Sequence, residues 1–311
     1  MGTIYWKPQQ ASDTVIKQGV KHLLDNSEIL TAQIQWEPGT KDFLDRVKWI
    51  ADLAHEHQRS LIVNLDWLAD SRQQLRGKGW RFAQPETQQK FMETALSVCE
   101  RYHPEYLNLG VEANFYALTD SSDFKVFLKT YHATKQRIKQ RFPNTKVSIS
   151  FQLELLMGNH TNWGKVATLE VLKAFGDDFD ILALSTYPHS NSRKFGNLSS
   201  LSAILNLTNK PVGIFETSVP SSQYPETKQQ QYLADLLAYL QRSERCEVLV
   251  WTSTIDTQAP APKQSWIHYL GLFHADFTPK LAVATWSSWL KRPHQRQTIK
   301  SSGGGTAKVV R

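Results

Sequence analysis

Tyr106-Leu107-Asn108-Leu109-Gly110-Val111-Glu112 is a strand-length run that ends on a carboxylate. A helix-like stretch follows at 122–141, and after it comes a second strand-like run, Val147-Ser148-Ile149-Ser150-Phe151-Gln152-Leu153-Glu154. In the second run the odd positions are apolar and the even ones polar or small, the period of two expected of a strand whose faces meet different surroundings. The first run has the opposite parity, with Leu107, Leu109 and Val111 on one face and Asn108, Gly110 and Glu112 on the other. A long helical crossover between two strands makes them parallel, since antiparallel neighbours need only a short turn.

The same unit recurs along the chain. Strand-like runs lie near 3–6, 29–36, 60–67, 106–111, 147–153, 180–186, 211–215 and 247–251, and helical segments fill 12–25, 41–57, 85–102, 122–141, 163–175, 198–208, 226–242 and 279–290. Eight βα units with no linker before residue 291 predict an α/β protein, a single (β/α)8 TIM barrel over 1–290. The alternative is an open doubly wound sheet. Its dinucleotide-binding form needs a glycine-rich turn after the first strand, where this chain has Trp6-Lys7-Pro8-Gln9.

Charge and cysteine content narrow the function. The net charge of +7 includes six cations in 291–311, a stretch without an acid, so the first 290 residues are nearly neutral. A basic segment containing Ser301-Ser302-Gly303-Gly304-Gly305 reads as a flexible, solvated tail rather than a nucleic-acid arm. No run reaches the ~18 apolar residues of a membrane span, and the N-terminus lacks the layout of a signal peptide. The expectation is a soluble monomer without nucleic-acid or membrane partners, either intracellular or secreted through a leader outside this sequence. Cys99 and Cys246 are too few and too far apart for a disulfide framework or a metal cluster.

Carboxylates crowd the predicted strand ends: Glu37, Asp66, Glu112, Glu154, Glu216 and Asp256. The C-terminal mouth is where such barrels keep their chemistry, and two converging carboxylates there fit glycoside hydrolysis. One protonates the leaving oxygen; the other attacks the anomeric carbon or activates water. A metal-dependent hydrolase would need several histidines at strand ends, and these positions hold carboxylates and aromatics instead. His55-Glu56-His57 lies late in a helical segment, where its two imidazoles diverge. No metal and no organic cofactor are expected.

Leu109-Gly110-Val111-Glu112-Ala113-Asn114, Tyr187-Pro188, Ile214-Phe215-Glu216-Thr217 and Trp251 follow strands four, six, seven and eight. In that order they resemble the barrel glycoside hydrolases of clan A, with the arabinogalactan endo-β-1,4-galactanase type closest in flavour. The resemblance implies Glu112 as acid/base, Glu216 as nucleophile, Tyr187 as the nucleophile's hydrogen-bonding neighbour and Trp251 as a stacking platform. It implies a retaining β-glycosidase acting on an oligo- or polysaccharide. The chain departs from the clan at Val111, where an asparagine usually bonds the sugar 2-hydroxyl. Asn114, Asn64 and Gln152 are the substitutes on offer, and a carbohydrate-binding pseudoenzyme on the same barrel is the alternative.

Other strand-end residues complete the expected cleft. Trp6, Trp36, Trp67 and Trp251 offer flat faces to pyranose rings, Asn114 offers an amide, and His189 follows Tyr187-Pro188 at the mouth. Arg72, Arg76, Lys78 and Arg81 in the 68–83 loop make either a solvated face or a rim for acidic glycans.

Overall fold

The computed structural model describes residues 1–7, 11–39, 43–163, 166–191, 195–196, 198–257 and 266–292. Eight parallel strands close into a barrel in chain order: β1 Gly2–Thr3, β2 Ile29–Gln35, β3 Ser60–Asp66, β4 Tyr106–Asn108, β5 Lys146–Gln152, β6 Ile181–Thr186, β7 Val212–Thr217 and β8 Cys246–Trp251. β1 pairs with both β2 and β8, which completes the closure. The crossovers carry α1 Asp13–Asp25, α2 Phe43–Glu56, α3 Pro85–Tyr102, α4 Asn114–Thr119, α5 Ser121–Arg141, α6 Leu153–Leu156, α7 Leu169–Lys173, α8 Ser199–Leu205, α9 Glu226–Ser243 and α10 Ala282–Leu290. Past β8, a short parallel pair, β9 Ser253–Ile255 and β10 Gly271–Phe273, extends the chain beside α1. The fold is the expected (β/α)8 barrel. The basic tail from residue 293 onward lies outside the described residues.

Side-chain caps open two of the longer helices. Ser12 accepts from the Val15 amide at the head of α1, and Asp120 accepts from the Asp123 amide at the head of α5. The helix expected at 163–175 is shorter than its sequence pattern, because Thr168 is tied to the turn after β5 through its amide to Leu156 O and its hydroxyl to Leu155 O. Helical pairing begins only beyond that anchor, at Leu169.

Strand alternation divides the interior into two cores. Ile4, Ile29, Ile62, Tyr106, Ile181, Ala183, Phe215, Val248 and Val250 fill the barrel axis as an apolar floor. Leu30, Val63, Leu107, Ile149, Leu182, Ile214 and Leu249 point outward beneath the helices. Above the floor the axial positions turn polar: the Asn108 amide donates to Asn64 Oδ1 and to Ser150 Oγ. Closer still to the C-terminal mouth come carboxylates and hydroxyls, so the barrel grades from apolar to ionisable along its axis. Here, over an apolar floor, a charge is poorly solvated, which makes neighbouring groups decisive for its protonation.

Candidate active site

Glu112 is placed by a turn rather than by a strand. Regular β4 pairing stops at Asn108, yet the chain stays pinned to β5 through Leu109 N to Ser148 O and Ala113 N to Ser150 O, each 2.9 Å. Between these anchors Glu112 adopts φ 52°, the left-handed region, at a cost of about 1–2 kcal/mol for a side chain with a Cβ. The turn is held from both sides. Its own amide donates to Ser150 Oγ at 3.0 Å, and two residues on, the Asn114 side chain exchanges 2.9 Å hydrogen bonds with the backbone N and O of Gln152. Gly110 is required here, because a Cβ would sit 2.8 Å from Trp67 Nε1 and from Ile149 Cδ1.

Glu216 reaches the mouth through a β-bulge. Gly213 and Phe215 follow strict alternation, and Phe215 packs on the axial floor against Tyr106. Alternation alone would then turn Glu216 outward under the helices. The β6–β7 register instead slips between Leu184 and Ser185, pairing Leu184 with Ile214 but Ser185 with Glu216. That extra residue re-aims the carboxylate to the side that Ser185 occupies.

Ser185 links the two glutamates. It lies beside Glu216 in the sheet, and its hydroxyl donates to Glu112 Oε1 at 2.6 Å. Both carboxylates are nearly buried, 7% exposed for Glu112 and 9% for Glu216. Their remaining neighbours differ. Arg72 Nη2 meets Glu112 Oε2 at 2.9 Å while its Nη1 meets Asp66 Oδ1 at 2.5 Å, so one guanidinium bridges two carboxylates. Glu216 receives the Tyr187 hydroxyl at 3.0 Å, and that phenol also contacts Thr252 Oγ1 at 3.0 Å. Burial pushes the Glu216 carboxyl up to about 8, the charge of Glu112 adds to the rise, and Arg72 and the Tyr187 hydrogen bond oppose it. Tyr187 is held well above the usual phenol range, first by burial and then by Glu216 and Glu112.

The other strand-end carboxylates are committed elsewhere. Glu154 is buried against Thr186 Oγ1, Gln152 Nε2 and the Tyr187 amide, and burial raises it to about 7. Asp256 is clamped by Lys280 Nζ and the Gly271 amide. Glu37 packs against Gly77 in the loop after β3. His55 and His57 are exposed at the end of α2, and among the described residues no group of His, Cys, Asp and Glu could hold a metal ion. Cys99 and Cys246 are free thiols.

Several residues expected in the cleft are not at its surface. Trp36, Trp67 and Trp251 are at most 1% exposed, and each indole N–H is already spent inside the protein, on Thr94 Oγ1, Leu109 O and Leu270 O respectively. Alternation explains this: all three occupy outward parity and join the core under the helices. Asn114 uses both ends of its amide on Gln152, so it braces the Glu112 turn. Gln152 is committed to Glu154 and the Leu155 amide, and among the described residues only Asn64, of the three substitutes for the missing asparagine, keeps an unpartnered amide donor. Val111 itself is buried.

The structure does bring Tyr187 and His189 to the mouth. His189 lies edge-on to Trp266 at 4.6 Å and to Tyr187 at 5.8 Å, with neither ring nitrogen hydrogen-bonded among the described residues. Burial lowers it to about 4, so the ring is neutral near pH 7. Half-exposed indoles come from Trp6, whose N–H reaches Thr252 O after β8, and from Trp266. Ser185, Thr252 and Trp266 carry no motif of their own, which is why only the assembled barrel reveals them, and Arg72 stands out in the sequence only as one of several loop cations.

The sequence profile of glycosyl hydrolase family 53 matches residues 61–247, more than half of the chain, from β3 to β8 and across both glutamates. The chain belongs to glycosyl hydrolase family 53. This is the clan A galactanase family that the strand-end motifs resemble, and it makes the protein a glycoside hydrolase by family. No curated protein sequence matches it. Among solved structures, the family 53 chain is similar to GH5_18 from Streptomyces cattleya in complex with Manb1-4GlcNAc, with TM-score 0.67 and 12% identity over 88% of this chain and 75% of that one. It is similar to the exo-beta-1,4-mannosidase Op5Man5 from Opitutaceae bacterium strain TAV5, with TM-score 0.65 and 15% identity over 93% and 58%. A beta-D-glucuronidase from Dictyoglomus thermophilum gives 0.63 and 13% over 94% and 50%. At such identities the likeness is one of fold, and the chain spans about half to three quarters of these longer proteins.

Proposed function

We propose that this family 53 barrel is a retaining β-glycoside hydrolase acting on a β-linked glycan, with Glu112 as acid/base and Glu216 as nucleophile. The observation that carries the reading is the Ser185 link, which ties the strand-four carboxylate to the strand-seven carboxylate at the end of the barrel where such folds work. In the first half of the reaction Glu112 gives its proton to the leaving oxygen while a Glu216 oxygen bonds to the anomeric carbon. In the second, Glu112 takes a proton from water, which displaces Glu216 and releases the sugar with its original configuration. Tyr187 donates to one Glu216 oxygen and so orients the other toward the sugar. The neutral His189 ring and the Trp266 face form one wall where a pyranose can hydrogen-bond and stack.

The test is a panel of aryl β-glycosides and β-glycans, with the anomer of the first product read by NMR, followed by a 2-fluoro glycoside carrying a good leaving group. Retention and covalent labelling of Glu216 are the expected results. Inversion, or a label on another carboxylate, would reject the assignment. Oligosaccharide binding without turnover of any glycoside would favour the pseudoenzyme, with Val111 as the first position to examine.

A further inference from the structure

Arg72 sits in a device of its own. The chain after β3 folds into a tight hairpin in which Leu68 bridges Leu75, Ala69 N bonds Gln74 O at 2.9 Å, and Arg72 N closes a turn on Ala69 O at 2.8 Å. Arg76 latches the hairpin through Leu68 O at 2.9 Å and Asp70 at 3.1 Å. Arg72 at the tip takes φ 61°, a left-handed conformation that disfavours any residue but glycine. This strained tip turns the side chain back over the mouth, where it is only 19% exposed and reaches Asp66 and Glu112 together. Arg76 is equally shielded but spends its guanidinium on the hairpin's own Leu68 O and Asp70, whereas Arg72 reaches two carboxylates at the mouth.

We propose that Arg72 is a positioning residue for the acid/base step, its guanidinium clamping Glu112 against Asp66 so that the carboxylate left after proton donation is held in charge and in place for the second half of the reaction. This rests on the assignment of Glu112 as acid/base. Among the described residues, the charged and titratable groups around Glu112 are Arg72 and Asp66 from β3 and its hairpin, His160 beyond β5, Tyr187 after β6 and Glu216 on β7. Arg72 is the permanent cation among them and the one that touches Glu112. Its fork therefore holds the Glu112 side chain in position and gives the carboxylate formed on proton donation a fixed charged partner.

The experiment is the pH profile of kcat/KM for the wild type, Arg72→Gln and Arg72→Lys on an aryl β-glycoside with a poor leaving group, beside Glu112→Gln on poor and activated leaving groups. Activity falls on the alkaline side as the acid loses its proton. Removing the cation raises the acid's proton affinity, so the alkaline limb of Arg72→Gln should move up by about one pH unit or more. Lysine keeps the charge but cannot fork to both carboxylates, so its limb should rise by a smaller step. An Arg72→Gln limb that overlays the wild type would overturn the proposal, whatever the loss in rate. Should Arg72→Gln not fold, an Arg72→Lys profile identical to the wild type would overturn it equally. Glu112→Gln slowing both substrates alike would instead remove the acid/base assignment beneath the proposal.

Discussion

On the β3–β4 side of the mouth, Glu112 lies between a guanidinium and a serine hydroxyl, whereas on the β6–β8 side Glu216 meets a phenol and, among the described residues, no cation in direct contact. The two carboxyls are almost equally buried. Their partners differ: a guanidinium forks onto Glu112, while Glu216 is raised to about 8 by burial first and by the charge of Glu112 second. One residue type is thus given two different sets of partners at the same mouth.

The comparison breaks most visibly at Glu216. Glu216→Gln should keep its fold and lose turnover by several orders of magnitude in steady-state assays. It should also change stability with pH. The folded carboxyl titrates near 8 and the unfolded one near 4.5, so the unfolded state releases its proton first and the wild type loses stability as pH rises through that window. The glutamine variant lacks this loss, and its stability relative to the wild type should grow by something on the order of a few kcal/mol between pH 4.5 and 8. Denaturant unfolding at several pH values measures it; parallel curves would show that Glu216 is not held protonated by the fold.

Glu112→Gln should separate the two sides further. Its rate should fall roughly 10²–10⁴-fold on glycosides with poor leaving groups and far less on activated ones, because only the former depend on the acid. Tyr187→Phe removes a hydrogen bond from the Glu216 carboxylate worth about 1.5–3 kcal/mol, so kcat should fall by roughly 10- to 100-fold. Its acid limb should also shift upward, since the bond favours the ionised form. An unshifted limb with normal kcat would show that the phenol only fills space.

The smallest effect concerns the turn beneath Glu112. Asn114→Ala leaves Gln152 N and O without side-chain partners in a buried place, at a cost of about 1–3 kcal/mol, and thermal melting should fall by several degrees. Activity should then fall on substrates that depend on Glu112 before it falls on activated ones. A loss equal on both classes would mean the brace serves the whole mouth.

Particular residues show how far the sequence could be read. Leu107, Leu109 and Val111 announced an outward face, and Asn108 does point to the axis, where it bonds Asn64 and Ser150. The same alternation also places Trp36, Trp67 and Trp251 outward, whereas nearness to strand ends alone points them to the cleft. Their burial is a matter of parity, and the indole, large and carrying one donor, suits a core position that offers a single carbonyl or hydroxyl. The 68–83 loop was open to two readings, a solvated face or a rim for acidic glycans. Arg72 fits neither, because its charge is spent on Asp66 and Glu112.

By itself the sequence determined the eight βα units, the barrel, and the positions of Glu112, Glu216 and Tyr187 after strands four, seven and six, because period, length and order are local properties of the chain. Only the tertiary structure decided which way Glu216 faces, since the bulge that turns it inward exists only when β7 pairs with β6. Tertiary structure also decided that Arg72 and Ser185, 113 positions apart by number, meet on the same carboxylate. Contacts of that range arise because the closed barrel gathers the ends of strands that are not sheet neighbours around one mouth, and no periodicity records them.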